Sequence, residues 1–224
     1  MGKIKISRGT TKNPITDMGY YAGFCWSADT ENEEKNFKRG LNCLKSNHGR
    51  VLEFPQIYLE IEGYSAKVIR ELYTHIGGSP TRLQESTRYV NYSDFSYIMP
   101  KSLYKDKDAE TIYKKTMKII REAVTDLLDL GIPNEDATML LPIGMETTMV
   151  MRTNLRQVID MSHQRMCSRA YWEFRQLMND LCNELSNYSE EWKFIVENFF
   201  MPKCEVYGYC TEEKGCGRKP KKDN

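Results

Sequence analysis

Surplus charge of either sign is missing from this chain. Its 224 residues carry 32 Lys+Arg against 31 Asp+Glu, a net charge of +1. That balance argues against the broad basic face of a nucleic-acid-binding protein and leaves any anionic ligand to be met locally. Long apolar runs are missing too: no uncharged stretch reaches the roughly 18–20 residues that cross a bilayer. The N-terminus, Met1 to Ser7, has no apolar h-region and no small-residue cleavage site, so no membrane partner is expected and the cytoplasm is the expected location. Histidine is scarce, and the three copies at 48, 75 and 163 show no His-x3-His or His/carboxylate metal spacing. G-x-G-x-x-G, a Walker loop and G-x-S-x-G are all absent, which removes the standard phosphate turns and the serine nucleophile elbow.

What is present is the composition of a globular protein: 40% hydrophobic, 11% aromatic and 28% charged residues, enough to bury a core. Length favours a single large domain over residues 1–201, followed by a basic, Cys-containing tail over 202–224. Seven cysteines, an odd number without an export signal, are expected to be reduced thiols. Cys204, Cys210 and Cys216 are spaced C-x5-C-x5-C, too wide for a C-x2-C zinc knuckle. Whether they hold metal stays open, and Cys182 is the one fourth ligand the sequence offers. Cys167, between Arg165 and Arg169, reads either as an activated thiol or as a small buried residue at a helix junction, and the second reading is preferred.

Periodicity places a short strand at Lys3–Ser7 and a helix from about Asp29 to Ser46, capped by Asp29 or Thr30. Asp17–Ser27 shows no clear period. Gln56 to Glu62 alternates as a half-buried strand, and Ser65 caps a helix running to about Ile76, closed by Gly77-Gly78. Ser79–Ser86 reads as a loop and Thr87–Met99 as extended. A long amphipathic helix spans Asp108–Leu130, a short one Asn134–Leu141, and a strand Met145–Thr153. Helices follow over about Asn154–Met166, Ser168–Asn187 and Ser189–Phe200, and the hydrophilic end from Gly217 is expected to be disordered. Few strands among long helices give an α+β class, a small mixed or antiparallel sheet packed with helices.

Two polar segments stand out. Thr81 to Tyr89 carries Arg82 and Arg88 six apart with Ser86 and Thr87 between them, a set of donors suited to phosphate. Its plain reading is a connecting loop whose arginines pair with nearby acids. On a helical wheel, Asn154, Val158, Met161 and Arg165 share one side, while Arg156, Asp160 and His163 gather roughly opposite. This helix lacks a clean apolar stripe. It suits a position between the core and a polar ligand or second subunit, with Arg156 and Asp160 at i,i+4 spacing able to fix each other, or else an exposed helix with ordinary ion pairs.

Read together, Gln84-Glu85-Ser86-Thr87-Arg88-Tyr89 and Asn154-x-Arg156-x8-Arg165-x4-Ala170-x-Trp172-Glu173 resemble the flavin-dependent thymidylate synthases, with a match in order and spacing from about His48 to Arg175. The first is similar to that family's Gln/Asn-Glu-x-Ser-x-Arg-Tyr ending and the second to its C-terminal helix signature. The resemblance implies a homotetramer with sites at subunit junctions. It implies FAD as cofactor, NADPH and methylenetetrahydrofolate as co-substrates, and conversion of dUMP to dTMP without a covalent cysteine.

Carried over residue by residue, it implies Arg165 as the catalytic group, stabilising charge on the uracil ring. Glu71, Thr74, Gln84, Glu85, Ser86, Thr87, Arg88 and Arg165 would contact dUMP. Arg50, Thr74, His75, Ile76, Gln84, Asn154, Leu155, Arg156 and Asp160 would contact FAD, Leu155 and Ile76 only through backbone or apolar atoms. Three positively charged positions of the family pattern are absent. Its Arg-His-Arg is Thr74-His75-Ile76 here, and the Arg often found ahead of the Leu-Pro turn is Thr138. Arg50 and Arg82 are the local candidates to replace that charge. The alternatives are a related pyrimidine-nucleotide modification such as hydroxymethylation, or a non-enzymatic module in which the terminal cysteines take a metal and the basic tail contacts RNA.

Overall fold

A computed structural model describes residues 2–78 and 80–222. Four strands form one small antiparallel sheet in the order β1-β2-β4-β3: β1 Lys3–Ile6, β2 Gln56–Ser65, β3 Thr81–Gln84 and β4 Glu146–Asn154. Nine α-helices accompany these strands among the described residues: α1 Pro14–Cys25, α2 Glu33–Lys45, α3 Ala66–Leu72, α4 Lys107–Asp129, α5 Asn134–Ala137, α6 Leu155–Arg165, α7 Trp172–Tyr188, α8 Glu190–Phe199 and α9 Lys203–Tyr207. The expected α+β class is what the chain adopts. It divides into two compact units, one mainly of Ile61–Tyr73 and Leu83–Met149, the other mainly of Ile4–Glu60, Thr74–Arg82 and Val150–Asn224.

In the first unit, Tyr92, Phe95, Met117 and Met145 form a buried cluster against which Tyr97, Tyr113 and Ile120 pack. The long helix α4 starts at Asp106, whose carboxylate accepts from the Asp108 and Ala109 N–H groups. Its inward stripe is thin, with Met117 and Val124 buried while Ile112 and Ile119 face outward. Residues 87–99, expected to be extended, form turns. Val90 N–H donates to Ser86 O, the Asn91 carboxamide accepts from Ser93 N–H, and an isolated antiparallel bridge, Tyr97–Met145, ties the segment to the chain entering β4. Side-chain acceptors within the segment outcompete the β-propensity of its aromatics.

In the second unit, α1 and α2 approach until backbones touch. A Cβ on Gly19 would lie 1.7 Å from Asn36 O, and one on Gly40 1.8 Å from Ile15 O. The glycines and aromatics that obscured the period of Asp17–Ser27 are therefore a helix contact, begun by Pro14 in the first turn where its missing N–H costs nothing. Helix α2 is capped by Asn32, whose side chain accepts from Lys35 N–H, and not by Asp29 or Thr30; Asp29 instead accepts from Glu31 N–H. Helices α6, α7 and α8 supply the core with Leu155, Val158, Phe174, Leu181, Leu185 and Trp192, all fully buried. The Trp192 indole N–H is satisfied by Thr11 O at 2.7 Å.

Other differences lie at boundaries. Ser65 caps α3 as expected, but the helix stops at Leu72. Thr81–Gln84, within the segment read as a loop, is strand β3, and Ser79 of that segment lies outside the described residues. Helix α7 begins at Trp172, because Cys167–Ala170 closes a turn first. Residues 217–222 of the expected disordered end are placed by a Cys210–Lys221 bridge and a Lys219–Glu205 ion pair; residues 223–224 lie outside the described set.

Candidate functional site

In the second unit the chain from β4 into α6 organises a buried polar knot around His75. Asn154 caps α6 by accepting from Gln157 N–H at 3.0 Å, and its amide group donates to Gly78 O at 3.3 Å. Gly78 has φ +69°, and a Cβ there would lie 2.3 Å from the Asn154 Nδ2, so the close approach requires glycine. Gln157 Nε2 and the Arg82 guanidinium both donate to His75 O. The Arg165 Nε–H donates to His75 Nε2 at 2.9 Å, which puts the imidazole proton on Nδ1. The same guanidinium lies over the Phe174 ring at 4.6 Å, and His75 meets that ring edge-on at 5.6 Å.

His75 is only 9% exposed. Burial first, then the Arg165 and Arg82 charges, lower its pKa to about 4, so the imidazole is neutral and serves as an acceptor. Two buried oxygens flanking Asn154 in the chain, Thr153 Oγ1 and Gln157 Oε1, have no hydrogen-bond partner among the described residues.

Arg156 and Arg50 share one carboxylate, Glu53, at 2.7 and 3.4 Å. Among the described residues no Arg156–Asp160 pair accompanies these contacts. Two guanidinium groups on one carboxylate leave a local surplus of positive charge near the first turn of the 11-residue helix α6. Asp160 lines a separate cavity of about 280 Å³ with Leu44, Asn47 and His163. Leu155 is fully buried and its N–H donates to Pro55 O, so its side chain belongs to the core, whereas Ile76 is exposed. Thr74 follows α3, and Glu71 sits on that helix.

The other segment lies in the first unit and is held by its backbone. Glu85 N–H donates to Thr148 O at 2.9 Å, and Gln84 Nε2 to Thr147 Oγ1 at 3.2 Å. Ser86 Oγ accepts from Arg88 N–H, while Thr87 O receives Asn134 Nδ2 at 2.9 Å and the Thr138 hydroxyl at 3.2 Å. Thr138, where the family pattern often has arginine, is thus a buried brace for the loop. Arg88 pairs with Glu135 at 2.8 Å, both groups more than half exposed, so the pair is weak and its guanidinium can turn to a ligand. Tyr92 lies under this loop with its hydroxyl toward Glu85 and Thr147.

The tail cysteines gather around a third feature, a cavity of about 300 Å³ lined by Cys167, Cys204, Cys210 and Cys216 together with His163 and Arg169. Cys182, the fourth ligand offered by the sequence, is instead buried in α7, where burial pushes its thiol up to about 12. Cys216 is exposed and its thiol is lowered by hydrogen bonds from Ser168 and the Arg218 backbone. Among the described residues no three His, Cys, Asp or Glu side chains are set to hold a metal ion. Sequence reasoning missed Glu53, Gln157, Phe174 and Tyr92. Only Gln157 had a local signal, the Asn-x-x-Gln spacing of a capping box.

A small antiparallel sheet with long helices, two arginine-bearing polar segments and a buried neutral histidine under one guanidinium defines a class: an α+β protein with arginines gathered in two polar segments. Residues 9–188 match the family model described as "Thymidylate synthase complementing protein". Over 90% of this chain, the flavin-dependent thymidylate synthase of Nitratidesulfovibrio vulgaris is 30% identical, with 86% of that protein covered. Its counterpart from Pyrococcus furiosus is 28% identical over 95% of this chain and 92% of its own length. The fold is that of a crystal structure of Helicobacter pylori thymidylate synthase X with FAD and dUMP, TM-score 0.70 at 17% identity, covering 88% of this chain and 99% of that one. The chain belongs to the flavin-dependent thymidylate synthase family.

Proposed function

We propose that this chain methylates dUMP to dTMP, with FAD as cofactor, methylenetetrahydrofolate as carbon donor and NADPH as reductant, in a homotetramer with sites at subunit junctions. The observation that carries the reading is the Arg165–His75–Phe174 arrangement, one guanidinium oriented by a neutral imidazole and an aromatic face. The uracil C5 is a poor nucleophile, so negative charge must be stabilised on the ring as the carbon is accepted. A fixed guanidinium does this without a covalent cysteine. Because His75 accepts from Arg165 and does not compete for its charge, the cation is oriented without being neutralised.

The residues fit a dinucleotide. Arg50 and Arg156 would meet its phosphates with their shared surplus charge, and the buried unpaired oxygens of Thr153 and Gln157 mark a polar floor suited to a donor-bearing ring. Bound FAD supplies hydride chemistry that no side chain here offers. Ser86, Thr87 and Arg88 would take the nucleotide phosphate, Arg88 exchanging its exposed carboxylate for a stronger charge-assisted contact. Gln84 and Glu85 would orient the nucleoside. Outward-facing Ile112, Ile119, Leu130, Met139 and Ile143 in the first unit support burial against further copies.

The test is an absorbance spectrum of the purified protein with and without dUMP, followed by product mass. A flavin spectrum perturbed by dUMP and a product heavier by one methyl group are expected. Protein that takes up no added FAD, or a product carrying a hydroxymethyl group, would overturn the reading.

A further inference from the structure

We infer that Tyr92 is a positioning residue for Glu85, donating its hydroxyl hydrogen to that carboxylate when the nucleotide is seated. The inference rests on the reading of Glu85 as a nucleotide contact. Tyr92 is 5% exposed, and its ring belongs to the cluster with Phe95, Met117 and Met145. A phenylalanine would fill that space equally well, so packing does not account for the oxygen. That oxygen is buried and makes no hydrogen bond of good geometry, yet the Glu85 carboxylate and the Thr147 hydroxyl lie within its reach, an arrangement that is costly unless one of these contacts tightens at some point in the protein's working cycle.

The groups facing it are the Glu85 carboxylate and the Thr147 hydroxyl. Thr147 Oγ1 is already engaged by Gln84 Nε2 at 3.2 Å, and Glu85 N–H is tied to Thr148 O, so the strand on either side of the Glu85 carboxylate is fixed. A cavity of about 260 Å³, lined by Glu85, Tyr92, Glu146, Thr147 and Thr148 among others, gives that carboxylate room to turn. Burial, and then the Glu85 charge, push the phenol up to about 12, so it keeps its proton across any working pH and can donate it to a carboxylate. Tyr92 touches no reacting atom in this scheme. It selects one carboxylate rotamer.

The experiment compares wild type and Tyr92→Phe as FAD-loaded enzymes. KM for dUMP is expected to rise about tenfold, which is ~1.4 kcal/mol, with kcat within about twofold, as loss of one charge-assisted hydrogen bond in binding implies. FAD content and melting temperature should be unchanged. Glu85→Gln should raise KM by itself, and adding Tyr92→Phe to it should change little more, because the charged acceptor is already gone. Full additivity in that cycle, an unchanged KM in Tyr92→Phe, or a fall in kcat with lowered melting temperature overturns the inference while leaving the proposed function intact. Wild-type protein that binds FAD but no dUMP overturns both.

Discussion

Arg165 is held between two groups that act differently on its charge. Phe174 stabilises the cation through its ring face, and His75 accepts its Nε–H without carrying charge. Removing the guanidinium by Arg165→Ala should lower kcat about 10²–10³-fold, the scale of losing one oxyanion donor, with FAD still bound by absorbance; turnover near wild type would refute the role. Cys167→Ser should leave turnover within about threefold, since Cys167 lines the tail cavity and not the His75 knot. His75 also sets a pH dependence. Its folded pKa of about 4 lies below the ordinary 6.5, so the unfolded chain binds the extra proton and stability falls as pH drops from 6.5 towards 4. Up to about 3 kcal/mol is lost across that window, at ~1.4 kcal/mol per unit. His163, also lowered by burial, adds in the same direction. Urea melts at pH 7 and pH 4.5 should show His75→Gln losing less stability between the two than wild type does. Arg165 and His75 each stand in a sequence motif, but their mutual contact joins residues 90 apart and leaves no local trace.

Elements were legible where a cap or a clean period marked them. Ser65 starts a helix as its side chain predicts, β4 alternates, and α4 shows its apolar spacing over 23 residues. The failures share a cause: contacts that one sequence segment does not contain. Strand β3 consists of four largely exposed residues whose extended form depends on pairing with β4. Helix α1 is specified by the touching backbones at Gly19 and Gly40, and half of that pattern lies in α2. Gly40→Ala should therefore destabilise the protein by about 3 kcal/mol or more, because a Cβ there meets a carbonyl oxygen and no flexible side chain can yield. Gly77→Ala is the control. Nothing lies within 4 Å of its Cβ and its φ is not in the left-handed region, so the change should be neutral or stabilising by ~0.4–1 kcal/mol. Chemical denaturation of the two variants separates the packing account from a general cost of replacing glycine.

For the whole molecule, a net charge of +1 does not show how the site arginines are distributed along the chain. Arg50, Arg82, Arg156 and Arg165 belong to the second compact unit, while Ser86, Thr87 and Arg88 belong to the first. If sites form at subunit junctions as proposed, the Arg88 and Arg165 of one site can come from different copies, and that has a direct test. Arg88→Ala and Arg165→Ala homotetramers should each be nearly inactive. Mixed, dissociated and reassembled at equal amounts, they should regain activity, because some sites then combine an intact Arg88 from one copy with an intact Arg165 from another. Random assembly of a junction from two independent copies restores about a quarter of the sites. The exposed isoleucines of α4 set the expected association as hydrophobic, so mild urea and not salt should promote exchange of subunits. Recovery near that fraction, with a solution mass about four times the 26.2 kDa chain, supports shared sites. No recovery, with exchange confirmed by a mass-tagged copy, would place both arginines of each site on a single chain.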